Sequence, residues 1–212
     1  MKKNKVLILS PHTDDAELGA GGTISKYLDE GREIYWIVFS TAEESLPKGM
    51  PKDTLEKEFL DVINKLNIPN NQIMINKFHV RKLHEKRQEI LEILIKVRNS
   101  FNPELVIGPS LNDFHQDHVV VANEMVRAFK SHASILSYEL PWNNIVFRTQ
   151  FFEKLDKKHI ELKQDLLQCY KSQIIKERNY FDKNFILGFA KTRAIQINSD
   201  YAESFEVVRW IN

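Results

Sequence analysis

Two short segments of this chain concentrate imidazoles and carboxylates. The first, Ser10-Pro11-His12-Thr13-Asp14-Asp15, holds one histidine and two aspartates. The second, Asn112-Asp113-Phe114-His115-Gln116-Asp117-His118, lies far downstream. Clustered carboxylates are costly unless a cation neutralises them, and imidazole with carboxylate is a donor set for a divalent metal. Two histidines and one carboxylate with an open position suit catalytic zinc. The same set suits a non-haem iron triad. His12 and Asp15 are three apart and project to one side of a helical turn, whereas Asp14 points differently. That leaves two ligands and one carboxylate free to work as a base. His115 and His118 repeat the spacing, which does not choose between them as a further ligand. Zinc lowers the pKa of a bound water to about 7. A nearby carboxylate then takes the proton, and an amide or ester carbonyl is attacked. A plainer reading makes Asp14 or Asp15 a helix cap, and the downstream histidines caps of a second helix. A cap needs neither His12 nor a second aspartate.

Each cluster follows an apolar run, at 6–9 and 105–108, that reads as a buried strand. Further strands are expected at 34–39, 72–75, 135–138 and 147–155, with 203–210 as a final edge strand. Helices are expected at 15–30, 53–66, 84–101, 117–130, 159–172 and 177–193. This alternation predicts an α/β, three-layer Rossmann-like fold. Its sheet is mostly parallel with helices on both faces, and the metal site sits at the carboxyl ends of strands 1 and 4. Gly19, Gly21 and Gly22 within the first helix imply close approach to the sheet. Their G-x-G-G order, well past the strand, does not fit a dinucleotide fingerprint. The loop at 40–52 leaves the same sheet edge as the first cluster and reads as a lid or specificity loop.

The 212 residues fit one domain spanning 1–212. With 42% hydrophobic and 28% charged residues the chain is globular, not disordered. A net charge of +1 gives no pull on nucleic acid. No apolar run approaches the roughly 20 residues of a membrane span, and the N-terminal run is too short for a signal peptide. Cys169 is the only cysteine, so an intramolecular disulfide is ruled out and a reducing, cytoplasmic setting is expected. His79, His84, His132 and His159 read as surface residues, and Phe151, Phe152, Trp142 and Trp210 as core or rim.

The segment from Ser10 to Ile24 resembles the signature of the zinc-dependent N-deacetylases called the LmbE-like or PIG-L family, whose usual form is A/P-H-P-D-D. Asp113-Phe114-His115-Gln116-Asp117-His118 resembles the family's second motif, D-x-H-x-D-H. Weaker matches lie at Leu105-Val106-Ile107, Lys171-Ser172-Gln173 and Tyr201-Ala202-Glu203-Ser204-Phe205. The resemblance implies that His12, Asp15 and His118 bind Zn2+ or another divalent metal. It makes Asp14 the general base. It gives His115, oriented by Asp117, the task of stabilising the oxyanion or protonating the leaving amine. The implied substrate is a small N-acetylamino sugar of the N-acetylglucosamine type, or its conjugate, and a homo-oligomer is compatible with it. Thr13 stands where the family usually has proline, and Ala16 where many members carry an acid. The loop 40–44 lacks the usual glycine-rich form. No arginine opens the next helix, where some members hold substrate, which leaves Lys52 or Lys57 as substitutes. The alternatives are a zinc amidase of another N-acyl conjugate, an iron oxygenase and a non-catalytic nucleotide-binding module. Iron triads of that kind commonly sit in all-β barrels, and a nucleotide module needs no His/Asp set.

Overall fold

Apolar side chains alternate along the central strands and divide the interior into two cores. The structure, a computed structural model, describes residues 4–212. The strands are β1 (Lys5–His12), β2 (Glu33–Ser40), β3 (Ile73–Ile75), β4 (Leu105–Pro109), β5 (Ser134–Tyr138), β6 (Phe151–Leu155) and β7 (Tyr201–Arg209). The helices are α1 (Asp15–Asp29), α2 (Thr54–Lys65), α3 (Arg87–Phe101), α4 (Gln116–Phe129), α5 (Lys157–Leu167), α6 (Lys171–Ile174) and α7 (Lys183–Ile195). Val6, Ile8, Trp36, Val38 and Ile107 face one side, packed with Phe59 and Val62 of α2 and Leu166 and Leu167 of α5. Leu7, Leu9, Ile37, Phe39 and Val106 face the other, packed with Leu94 and Val97 of α3 and Val121 and Met125 of α4. Burial on both faces explains why these strands read as continuous apolar runs.

The sheet order is β3-β2-β1-β4-β5-β7-β6. The first five strands pair in parallel, and β7 runs antiparallel to both its neighbours. β1 lies between β2 and β4, so the order reverses there. The chain leaves β1 and β4 side by side at the crevice where such sheets bind ligands.

α1 presses onto the sheet as its glycines imply. A Cβ at Gly19 would lie 2.5 Å from Tyr138 Cδ2, and one at Gly22 2.6 Å from Leu155 Cδ1. A polar tie reinforces this contact. Glu203 of β7 accepts from the Gly22 and Thr23 amides at 3.0 and 2.7 Å. Lys163 of α5 donates to Glu203 Oε1 and to the Leu18 carbonyl, both at 2.7 Å.

Four expectations are corrected. β7 is not an edge strand: it inserts between β5 and β6, and β6 takes the edge. The strand expected from 147 starts at Phe151. The helix expected from 177 starts at Lys183, because Asp182 caps it by accepting from the Asn184 and Phe185 amides. His159 is buried, because as the third residue of α5 it closes a capping box with Asp156 and pairs with Asp29 Oδ2 at 3.2 Å. No helix among the described residues is long and apolar enough to cross a membrane.

Candidate active site

His12 is the last residue of β1 and Asp15 the first of α1, so only Thr13 and Asp14 separate strand end from helix start. The tight turn is closed by the His12 amide, which donates to Asp15 Oδ2 at 2.7 Å. That oxygen is also 3.1 Å from His12 Nδ1 and 3.1 Å from His118 Nε2. The two ring nitrogens are 3.3 Å apart. Tetrahedral zinc with ligand bonds of ~2.0–2.1 Å spaces its donors about 3.3 Å apart. One carboxylate oxygen and two imidazole nitrogens at these separations fit such an ion. His12, His115 and His118 also converge, with one nitrogen of each within 4.8 Å of the others. The His12, Asp15 and His118 triangle is the tighter set. His115 Nδ1 is already engaged, accepting from the Asp117 amide at 3.2 Å.

The second nitrogen of each imidazole in the tight set meets a carboxylate. His118 Nδ1 lies 2.7 Å from Asp113 Oδ2, and His12 Nε2 lies 3.0 Å from Asp117 Oδ2. Such partners fix ring orientation and raise ligand basicity. Asp113 also accepts from the His115 amide at 2.7 Å, and Asp117 from the Arg81 and Leu83 amides at 2.5 and 3.1 Å. The resemblance made Asp117 the partner of His115; here its carboxylate meets His12 and its amide meets the His115 ring. In the first turn of α4 the Asp117 amide meets the ring of the cap residue His115, while its side chain reaches β1. The cap reading therefore holds for His115 Nδ1. It does not hold for Asp14, which occupies the cap position of α1 without a side-chain cap bond.

Charge follows this arrangement. Burial pushes the imidazoles toward neutrality, but the surrounding carboxylates, Asp15 with Asp117 at His12 and Asp15 with Asp113 at His118, together outweigh it and raise His12 to about 9 and His118 to about 10. Burial also opposes ionisation of Asp15, yet the two imidazoles hold it far below the usual carboxylate range. The trio is a built receptor for positive charge. Burial and the two neighbouring imidazoles press His115 down to about 4, so it is neutral. Because its Nδ1 accepts, its proton sits on Nε2. Burial and the adjacent Asp15 push the Asp14 carboxyl up to about 6.

Glu17 backs the turn. Tyr170 Oη lies 2.5 Å from both the Thr13 carbonyl oxygen and Glu17 Oε1. One hydroxyl proton cannot serve two acceptors, so Glu17 carries the second. Burial, which holds its carboxyl well above the usual range, agrees.

Over the triad opens a cavity of about 220 Å³, lined among others by Asp14, Leu55, His115, Trp142, Arg178 and Tyr180. Two weak motif matches prove to be braces. Glu58 of α2 accepts from the amide and hydroxyl of Ser172 at 2.8 and 2.7 Å, which positions the lining residue Gln173. Glu203 anchors α1 as described. A further brace, Glu206 of β7, accepts from the Ser110 hydroxyl at 2.5 Å and holds the loop after β4. No spacing signalled Glu206, Arg178 or Tyr180, because each reaches its partners only through tertiary packing.

Fold and site together define a doubly wound α/β protein with a candidate metal centre at its switch point. The family described as PIG-L, GlcNAc-PI de-N-acetylase, matches residues 7–129, which include both clusters, and the chain belongs to this family of deacetylases. The uncharacterized deacetylase YaiS of Escherichia coli K12 is 24% identical over 176 residues, 81% of this chain and 92% of that protein. The N,N'-diacetylchitobiose deacetylase of Pyrococcus horikoshii superposes with a TM-score of 0.81 at 19% identity, covering 98% of this chain and 84% of that one. GalB of Pseudomonas putida KT2440, a 4-carboxy-2-hydroxymuconate hydratase, superposes with a TM-score of 0.75 at 18% identity, covering 99% and 98%. One fold thus carries more than one reaction, and function must be argued from the site.

Proposed function

We propose that this protein is a divalent-metal-dependent N-deacetylase that hydrolyses the acetamido group of an N-acetylamino sugar or its small conjugate. The observation that carries this reading is the tight His12, Asp15 and His118 triangle beside an Asp14 carboxylate that neither caps α1 nor, among the described residues, bonds another side chain. His12, Asp15 and His118 would hold the ion. When bound, it supplies Lewis-acid polarisation of the amide carbonyl and an acidified water. Asp14 takes the proton of the attacking water on its carboxylate. The Nε2–H of neutral His115 donates to the carbonyl oxygen as negative charge develops there. Asp14 then returns its proton to the leaving nitrogen, so acetate and a free amine result. Asp117 and Asp113 keep the His12 and His118 rings in place throughout. Trp142 and Tyr180 line the cavity and offer aromatic faces to a sugar ring. The chitobiose deacetylase, named for an acetylated amino sugar, supports this substrate class.

A screen of N-acetylamino sugars, free and nucleotide-linked, with acetate release as readout tests the reading. Release that needs a divalent ion and falls about 100-fold or more in Asp14→Asn is expected. Turnover of no N-acetyl compound by the metal-loaded protein would overturn it.

A further inference from the structure

The cation that faces this cavity is neither Lys52 nor Lys57. Both lysines are exposed, and Lys57 pairs with Asp53 at 2.8 Å. Leu55 is the α2 residue that lines the cavity. The cation there is Arg178, half-buried in the irregular segment between α6 and α7. Its Nη1 donates to Tyr180 Oη at 2.5 Å. Among the described residues no carboxylate lies within ion-pair distance of it. Of the other half-buried arginines, Arg32 pairs with Glu30 and Arg193 with Glu139, while Arg98 has neutral acceptors, the Ala128 carbonyl and Asn99 Oδ1, and does not face the cavity. Lys176 adds a second half-buried positive charge. It donates to the Ser45 carbonyl and, at 3.4 Å, to Gln173 Oε1, again with no carboxylate partner. Glu177 between them is exposed and pairs with neither. Tyr180, which receives the Arg178 bond, stacks on Trp142 with ring centroids 4.1 Å apart and an interplanar angle of 13°. One wall thus joins a guanidinium outside ion-pair distance of any described carboxylate, though it shares the cavity with Asp14, to an aromatic pair.

We propose that Arg178 is a specificity-determining residue that receives an anionic substituent, a phosphate or carboxylate, carried by an amino-sugar substrate whose ring packs against Trp142 and Tyr180. This rests on the deacetylase reading and narrows its substrate class. Guanidinium is the side chain suited to oxyanion groups, because its planar fork of donors matches two oxygens at once. Among the described residues Tyr180 takes one of the Arg178 N–H donors, which leaves the rest of the fork to a ligand.

The test compares kcat/KM of the metal-loaded protein on N-acetylglucosamine, its 1-phosphate, its 6-phosphate and the 6-carboxylate N-acetylglucosaminuronic acid. The wild type should prefer at least one anionic compound over the neutral sugar. In Arg178→Gln that preference should fall about 10- to 100-fold, mainly through KM, and Arg178→Lys should restore part of it. The ratio is taken within one preparation, so a partly unfolded variant does not distort it. The phosphate and carboxylate arms identify the group received. A parallel calorimetric titration of glucosamine and of glucosamine 6-phosphate, glucosamine 1-phosphate and glucosaminuronic acid needs no turnover. If no N-acetyl compound is hydrolysed, the deacetylase reading fails, while tighter anion binding lost in Arg178→Gln still upholds the receptor. Equal preference in wild type and Arg178→Gln, in rates and in binding, would overturn it.

Discussion

At the residue scale, His12 and His118 each turn one nitrogen toward the Asp15 oxygen and the other toward a carboxylate, of Asp117 and Asp113 respectively. This double engagement separates ligands from neighbours. His118→Ala and Asp15→Ala should each abolish stoichiometric zinc binding in equilibrium dialysis. His115→Ala should keep the ion and lower kcat by about 10²- to 10³-fold, as for loss of an oxyanion donor. Loss of metal from His115→Ala would instead favour the looser three-histidine set. Asp117→Asn should weaken metal affinity by about 10- to 100-fold, through the ring of His12. The chemistry-bearing residues were legible because their types and three-residue spacing are local. The partner of Asp117 was not, since the choice between His12 and His115 depends on which way a first-turn side chain leans once α4 docks on β1. Arg178 was equally hidden: the sequence placed it inside a helix expected over 177–193 that starts only at Lys183, and only the fold brings it to the cavity that Asp14 and Tyr180 also line.

At the element scale, β1, β2, β4 and the helices between them follow apolar pattern and caps, and these elements alone bring the two clusters together. The glycines of α1 read correctly as a close contact. The C-terminal third read less well. α5 and β7 depend on long-range ties, such as the buried Lys163 and Glu203 pair, that no local window contains. Glu203→Ala would leave the Lys163 ammonium buried without its partner and two amides of α1 without their acceptor. It should cost about 3–5 kcal/mol, measured by urea unfolding, and Lys163→Met in the same background should recover part of the loss. Gly19→Ala should cost about 1–3 kcal/mol in the same assay, because the added methyl meets the Tyr138 ring.

At the scale of the whole molecule, two apolar cores and not an ion close the sheet. Chelation should therefore remove acetate release while leaving the far-UV circular dichroism unchanged. Returning zinc at 100 times its dissociation constant should add about 2.7 kcal/mol of stability by mass action, seen as a rise in Tm. Acid should act against the ion. Metal uptake must displace protons that Asp15, with Asp117 and Asp113, holds on His12 up to about 9 and on His118 up to about 10. Apparent affinity should accordingly fall as pH falls, in dialysis across pH 6 to about 9.

The most direct measurement is the rate of acetate release by Asp14→Asn per bound zinc ion, on whichever N-acetylamino sugar the wild type turns over. A full complement of zinc with a rate reduced about 100-fold or more is the predicted result. A wild-type rate per ion, or loss of the ion with the substitution, would contradict the assignment of His12, Asp15 and His118 as the grip and Asp14 as the base.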